Sequence, residues 1–397
     1  MSRGDAGAVG PAGVALPGGR LRDAFRAWRA RMVARPGFQR WATAFPLTRP
    51  LVRRESRALF DLCAGFVYSQ VLLACVRLRL FDLLAGGPKS LAELARDLQL
   101  DAPHAECLLE AAVALRLADR RSDGRYGLGD LGAALRANPG IAEMVEHHAL
   151  LYEDLRDPVA LLRDPGAETR LSRLWAYARN PASGALEAED VSAYTRLMAA
   201  SNALVAEAVL DAIDIGRYRC LLDVGGGSGG FLIACARRAP SLRLMLFDLP
   251  AVAEQGRARL AAAGLAARAT VAGGDFRVDA LPTGADVVSV VRVLYDHDDE
   301  TVLAILRAAR AALPAGGTIL VAEPMAGMRG AEAMGGAYFG FYLLAMRGGR
   351  ARSPERIASL LRESGFVRPR PVPTRLPIQT GLVQADAPGA SSAVKMT

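Results

Sequence analysis

Histidine is scarce in this chain: His104, His147, His148 and His297 are the whole set. No H-E-x-x-H occurs, which excludes a zinc hydrolase of that type. Cysteine is sparse as well. Cys63, Cys75, Cys107, Cys220 and Cys235 lie far apart with no C-x-x-C pair. That argues against a disulfide scaffold or a zinc ribbon and for a reducing, cytoplasmic compartment. No metal site is expected. Long apolar runs are also missing. The longest, Leu62 to Val76, contains Ser69 and Gln70 and lies between Asp61 and Arg77. It falls short of the roughly 20 residues of a membrane span, so a buried helix is expected there. No Lys/Arg start followed by an apolar core opens the chain, so no secretory signal is expected.

Net charge is nearly absent from most of the chain. Residues 1–57 carry twelve Arg against Asp5, Asp23 and Glu55, while the remainder carries 37 basic and 38 acidic residues. The overall +8 therefore sits in a basic N-terminal arm. A near-neutral body argues against a broad nucleic-acid surface there. What is present is ample core material. The 397 residues are 51% hydrophobic and 23% charged, the balance of a globular chain of two or three domains.

The arm, residues 1–55, opens with a Gly/Ala/Pro-rich stretch to residue 19. Leu21, Phe25, Trp28 and Met32 then recur at spacings of 4, 3 and 4, with Arg22, Arg26 and Arg29 off that face. This spacing predicts a basic amphipathic helix, suited to an anionic membrane or to a partner subunit. Residues 56–165 read as mostly helical. Ser90 with Glu93 forms a capping box, and Asp123–Gly124 marks a hairpin turn. Helix, short helix, helix and hairpin is the order of a winged helix. Its recognition-like helix, Ala105 to Leu117, carries Glu106 and Glu110 against Arg116 alone. That charge suits phosphate poorly, so a structural or dimerisation role is expected and no nucleic-acid partner.

Residues 166–190 read as a linker, followed by a long helix over about 190–213. Five apolar runs then alternate with helical stretches: Cys220–Val224, Arg243–Phe247, Ala269–Ala272, Asp286–Val291 and Thr318–Ala322. Such runs predict an α/β domain with a parallel sheet covered on both faces, over 191–385. Small residues from Asp386 to 397 read as a frayed tail.

The chemistry concentrates at Asp223-Val-Gly-Gly-Gly-Ser-Gly-Gly230, between the first strand and a helix. Glycine lets the backbone turn tightly and approach a ligand. Gly225, Gly227 and Gly230 satisfy the dinucleotide pattern G-x-G-x-x-G. Asp223, Gly225, Gly227 and Gly229 satisfy D-x-G-x-G-x-G, the loop of S-adenosylmethionine (SAM) methyltransferases. Asp248 ends the second strand, 19 residues past the loop, where an acid accepts from a ribose diol. Asp275–Phe276 closes the third strand, where an adenine could sit. Arg292 ends the fourth, and Glu323 the fifth.

This order resembles the class I SAM-dependent methyltransferase fold. Within it, the chain resembles the O-methyltransferases that join a winged-helix dimerisation domain to a Rossmann-like sheet. The resemblance covers about residues 56–385. It implies SAM as cofactor, a homodimer, and SAM contacts at Asp223, Gly225, Gly227, Asp248, Asp275, Phe276 and Arg292. It also exposes a departure. The family places His-Asp-Trp before a pair such as Asp-Glu and uses that His as general base. Aligned on Asp296 and Asp299–Glu300, Tyr295 stands in the His position and His297 in the Trp position. His297 and Tyr295 are therefore the candidate catalytic residues, with a capping or packing role open for His297. Glu323 matches the family's Glu that orients base or substrate.

A phenol yields its proton to imidazole readily; an aliphatic alcohol does not, since its pKa lies far above the roughly 6.5 of His. Alignment of the oxygen with the methyl donor then carries more of the rate, about 7–11 kcal/mol in good cases. The missing His is compatible with an aliphatic hydroxyl. Residues 146–162 and 292–299 resemble the carotenoid branch of the family, which methylates the tertiary hydroxyl of 1-hydroxycarotenoids. The apolar segment Ala331 to Met346 suits a polyene pocket or ordinary core packing, and His147–His148 a packing or surface role. A tetrapyrrole or polyketide methyltransferase, a SAM-sensing DNA-binding regulator and a nicotinamide dehydrogenase remain as alternatives, in falling order.

Overall fold

The computed structural model describes residues 17–164, 166–179, 202–375 and 380–389. The start of the arm, the 180–201 portion of the expected linker and long helix, and the end of the tail lie outside the described residues. By its internal contacts the chain divides after Ala74 into two units.

The first unit is helical. Helix α1 spans Pro17–Val33, α2 spans Pro36–Ala44 and α3 spans Arg49–Arg77. Pro36 separates the first two, because the residue before a proline is driven to extended backbone, as Arg35 is at ψ 122°. Gln39 Nε2 donates to the Val33 carbonyl (2.9 Å) and Thr48 Oγ1 to that of Ala42 (2.6 Å). These bonds satisfy carbonyls that helix ends leave without intrahelical partners. Leu21, Phe25 and Trp28 share an exposed face, and the last two rings stack at 5.7 Å. Helix α3 corrects an expectation. It is long and apolar enough to cross a membrane by length and composition, and little of its apolar stretch is buried. Leu59, Phe60, Leu62, Phe66 and Val67 are exposed rather than in a core. The apolar run continues a longer helix, and its surface is left for something other than the described residues of this chain.

In the second unit, helices α4 (Leu80–Ala85), α5 (Leu91–Asp97) and α6 (Ala102–Ala114) precede a hairpin of β1 (Ala118–Arg120) and β2 (Tyr126–Leu128). Ser90 and Glu93 form the expected capping box, and the hairpin strands pair antiparallel around Asp123–Gly124. Glu110 of α6 accepts from Arg120 (3.1 Å) and from the Tyr126 hydroxyl (3.0 Å). The acid on the recognition-like helix thus fastens the hairpin. Helices α7 (Asp130–Arg136), α8 (Pro139–Asp154), α9 (Pro158–Arg163) and α10 (Arg170–Arg179) follow, and residues 202–212 form α11.

The sheet comprises β3 (Cys220–Val224), β4 (Arg243–Asp248), β5 (Ala269–Gly273), β6 (Val287–Val291), β7 (Thr318–Glu323), β8 (Val367–Val372) and β9 (Gly381–Asp386). Its order is β5-β4-β3-β6-β7-β9-β8, with the first five parallel and β9 antiparallel to both neighbours. The five expected strands are present. The two added strands close one edge, and Pro371 stands in the outermost, where a missing N–H costs least. Helices α12 (Gly230–Arg238) and α13 (Pro250–Ala262) cover one face with α11; α14 (Asp299–Ala312) and α16 (Pro354–Glu363) cover the other. Alternate residues serve the two cores: Leu222, Val288 and Ile319 face α14 and α16, while Leu221, Val287 and Leu320 face α11 and α12. Strand order reverses between β3 and β6, the place where open α/β sheets bind ligands at their carboxyl ends.

Candidate functional site

The glycine loop leaves the carboxyl end of β3 and enters α12. Gly225 donates to the Phe247 carbonyl of β4 (2.8 Å). Gly227 has φ +58°, and no atom lies within 4 Å of where a Cβ would stand. Its backbone is therefore bent into a conformation that favours glycine and faces open space. Asp248 holds this loop. One carboxylate oxygen accepts from Gly227 N–H (2.8 Å) and the other from Leu249 N–H (2.7 Å). Burial raises its pKa, and these two donors pull it back.

Asp223 lies beneath the loop, 1% exposed. One oxygen accepts from Ser289 Oγ (2.6 Å), and the other has no hydrogen-bond partner among the described residues. Burial pushes this carboxyl up to about 7, against the Ser289 bond. An orphaned acceptor, an open Gly227 backbone and an acid at the next strand end suit a ligand that brings ribose hydroxyls and an ammonium group. SAM has both. Asp275 follows β5 and grips Arg277 through both carboxylate oxygens (2.9 and 3.0 Å to Nε). Phe276 packs on the core, and the His297 ring meets it edge-on at 5.5 Å.

After β6 the chain turns through Arg292, whose φ is +57°. Its guanidinium donates to Asn202 Oδ1 (3.2 Å) and reaches the Tyr295 hydroxyl at 3.5 Å. Tyr295 is buried, and its phenol is pushed up to about 12, chiefly by burial. It is neutral at physiological pH. Glu323, fully buried at the end of β7, accepts the Tyr295 backbone N–H (3.0 Å) through one oxygen. Its other oxygen has no partner among the described residues, and burial pushes the acid up to about 7. Glu323 thus ends its strand in the interior. It clamps the turn that carries Tyr295.

The ten sequence-derived residues therefore line the carboxyl ends of five adjacent strands. They divide into two groups. Asp223, Gly225, Gly227, Asp248, Asp275, Phe276 and the ring of His297 lie along β3, β4 and β5. Arg292, Tyr295 and Glu323 gather beyond β6 and β7. Two residues were missed. Arg352, 2% exposed, donates to Asp299 (2.7 Å) and to the carbonyls of Leu294 (2.7 Å) and His297 (2.7 Å). Gly349, φ +74°, backs onto the same turn: a Cβ there would run into the Tyr295 carbonyl. Together they fix the backbone of residues 294–299.

Residues 152–367 match the O-methyltransferase domain family, and residues 60–138 match the O-methyltransferase dimerisation domain family. The chain belongs to this O-methyltransferase family. It is a SAM-dependent enzyme of mixed α/β fold. It is 47% identical to the demethylspheroidene O-methyltransferase of Cereibacter sphaeroides over 90% of this chain and 94% of that protein. Identity to the Rhodobacter capsulatus enzyme of the same name is 41%, over 86% and 84% of the two chains. The solved structure of the SAM-dependent methyltransferase SibL superposes with a TM-score of 0.72 at 30% identity, covering 83% of this chain and 99% of that one.

Proposed function

We propose that this enzyme transfers a methyl group from SAM to the tertiary 1-hydroxyl of a hydroxycarotenoid of the demethylspheroidene type, in carotenoid biosynthesis. The observation that carries the substrate is the 47% identity across almost the whole length of a demethylspheroidene O-methyltransferase. The site supports it. A neutral Tyr295 stands where the family has its His base, and an aliphatic hydroxyl gains little by losing its proton before the methyl arrives.

In this reading Asp248 accepts from the ribose hydroxyls and Gly225 and Gly227 let the backbone approach the cofactor. Asp223 faces its ammonium side, and Asp275 and Phe276 border the adenine. Bound SAM supplies an electrophilic methyl on a sulfonium. Arg292 and Tyr295 border the acceptor, and Glu323 positions Tyr295 through its backbone. His297, in the family's Trp position, buttresses Phe276 by edge-on contact. Assay of the purified protein with SAM against a 1-hydroxycarotenoid, a bacteriochlorophyll-type tetrapyrrole and a polyketide phenol tests the assignment. Turnover of the carotenoid alone is expected; preference for either other acceptor replaces it.

The domain reading is an arm over 1–55, a dimerisation unit over 56–165, a linker to 190, a catalytic unit over 191–385 and a tail. The exposed side chains of α3 from Leu59 to Val67 suit a second copy of this chain, because the dimerisation match begins at residue 60. The enzyme works in the cytoplasm, with the arm at the membrane that dissolves its substrate. Exposed Leu21, Phe25 and Trp28 flanked by Arg22, Arg26 and Arg29 suit an anionic lipid surface. Flotation with anionic vesicles is expected to carry the protein up, and flotation with neutral vesicles is not. Binding to neither rejects the membrane contact.

A further inference from the structure

Four polar side chains beyond the cofactor loop form two matched pairs. Adjacent His147 and His148 on α8 meet two tyrosines four residues apart, Tyr342 and Tyr338. His147 Nε2 lies 2.8 Å from the Tyr342 hydroxyl, and His148 Nε2 lies 2.8 Å from the Tyr338 hydroxyl. Tyr338 ends a π-helix, Ala333–Tyr338, that runs into α15, Phe339–Met346. Such one-turn insertions re-aim a side chain and recur at functional sites. Tyr338 stacks on Tyr342 at 5.9 Å and meets Phe339 edge-on at 5.0 Å. Phe339 in turn meets Tyr295 at 6.2 Å. The Tyr338 phenol is raised by burial and by Tyr295, and lowered by the charge of Arg292. Burial lowers His148, so its ring is neutral and free of a second proton at physiological pH. The pair with the deeper His147, 4% exposed, reads as packing; in the half-buried Tyr338–His148 pair, Tyr338 feels both Arg292 and Tyr295.

We propose that Tyr338 receives the acceptor hydroxyl and that His148 takes its proton through Tyr338. The inference rests on the hydroxycarotenoid reading and supplies the base that the Tyr295 position lacks. The acceptor O–H donates to Tyr338 Oη, and Tyr338 O–H donates to His148 Nε2, the ring holding its own proton on Nδ1. The acceptor oxygen forms its bond to the methyl carbon as the sulfonium carbon–sulfur bond breaks, the electron pair leaving on sulfur. The proton of the oxonium ether moves to Tyr338 as the proton of Tyr338 moves to His148. One positive charge starts on sulfur and ends on imidazolium, and solvent then takes that proton. An oxonium ether is a far stronger acid than imidazolium, so a neutral His of lowered basicity suffices. Tyr338 is the catalytic residue here, and His148 the residue that positions it and accepts through it.

Tyr338→Phe and His148→Gln test this. Tyr338→Phe is expected to lower kcat about 100-fold, the scale of lost acid–base assistance. SAM affinity by calorimetry stays within about twofold, since the pair lies off the cofactor loop. Binding of the hydroxycarotenoid to SAM-free protein, read from its polyene absorption, weakens about fivefold, the scale of one neutral hydrogen bond. His148→Gln keeps a partner for Tyr338 but takes no proton. It lowers kcat about 10-fold or more with substrate binding unchanged, a split that a packing role would not give. The double variant loses no more than Tyr338→Phe alone. Wild-type turnover in both single variants overturns the relay while leaving the methyltransferase reading in place. A wild-type enzyme that binds SAM but forms no methyl ether overturns the proposed function itself, and the relay with it.

Discussion

Arg352→Met is expected to unfold the turn over residues 294–299 and to lower turnover sharply. Methionine fills much of the same volume but donates no hydrogen bond. The carbonyls of Leu294 and His297 lose their Arg352 donor, and Asp299 keeps Arg356 as its remaining cation. Each buried acceptor left without a partner costs about 1–3 kcal/mol, and breaking a buried ion pair from one side costs about 3–5 kcal/mol. A loss of about 3 kcal/mol lowers the melting temperature by about 6–12 °C for a unit of this size. Differential scanning calorimetry checks it. The control is Arg356→Met. That side chain is 42% exposed and shares Asp299 with Arg352, so its loss should leave melting and turnover nearly unchanged. Equal melting of the two variants would show that residues 294–299 hold without Arg352.

Asp248→Ala is expected to weaken SAM binding roughly 10- to 100-fold, the range of one charge-assisted hydrogen bond. Two losses combine. The Gly227 N–H at 2.8 Å loses its acceptor, so the loop is no longer held in its bent form. In the proposed role of Asp248, the ribose hydroxyls lose theirs as well. Asp248→Asn keeps one acceptor oxygen and should fall between the two. Calorimetric titration reads the affinities, and an unchanged dissociation constant in Asp248→Ala removes Asp248 from the cofactor site.

How far the sequence reveals this molecule follows from the range of the forces involved. Strands β3 to β7 are legible because a parallel sheet buried on both faces demands continuous apolar runs. The glycine loop is legible because its backbone conformation demands particular residues at fixed spacing. Strand β8 is not, since Val367-Arg-Pro-Arg-Pro-Val372 has the breaks and charges of an edge. Arg352 is not, because Gly348-Gly-Arg-Ala-Arg352 reads as a basic surface loop. Only its approach to residues 294–299 buries it. Helix α3 reads as core from its apolar content alone, whereas its face is exposed among the described residues. Composition gives the area to be covered, not the covering surface. His147 and His148 read as packing or surface residues for the same reason: their tyrosine partners lie 195 and 190 positions away.

Methyl transfer to a tertiary carotenoid hydroxyl is tested on the product itself. The most direct measurement supplies purified protein with SAM carrying a deuterated methyl group and a detergent-dispersed 1-hydroxycarotenoid, and locates the label by mass spectrometry. A labelled methyl ether at the tertiary oxygen, with stoichiometric S-adenosylhomocysteine, is expected. Label on carbon, or no labelled product from protein that binds SAM tightly, would contradict it.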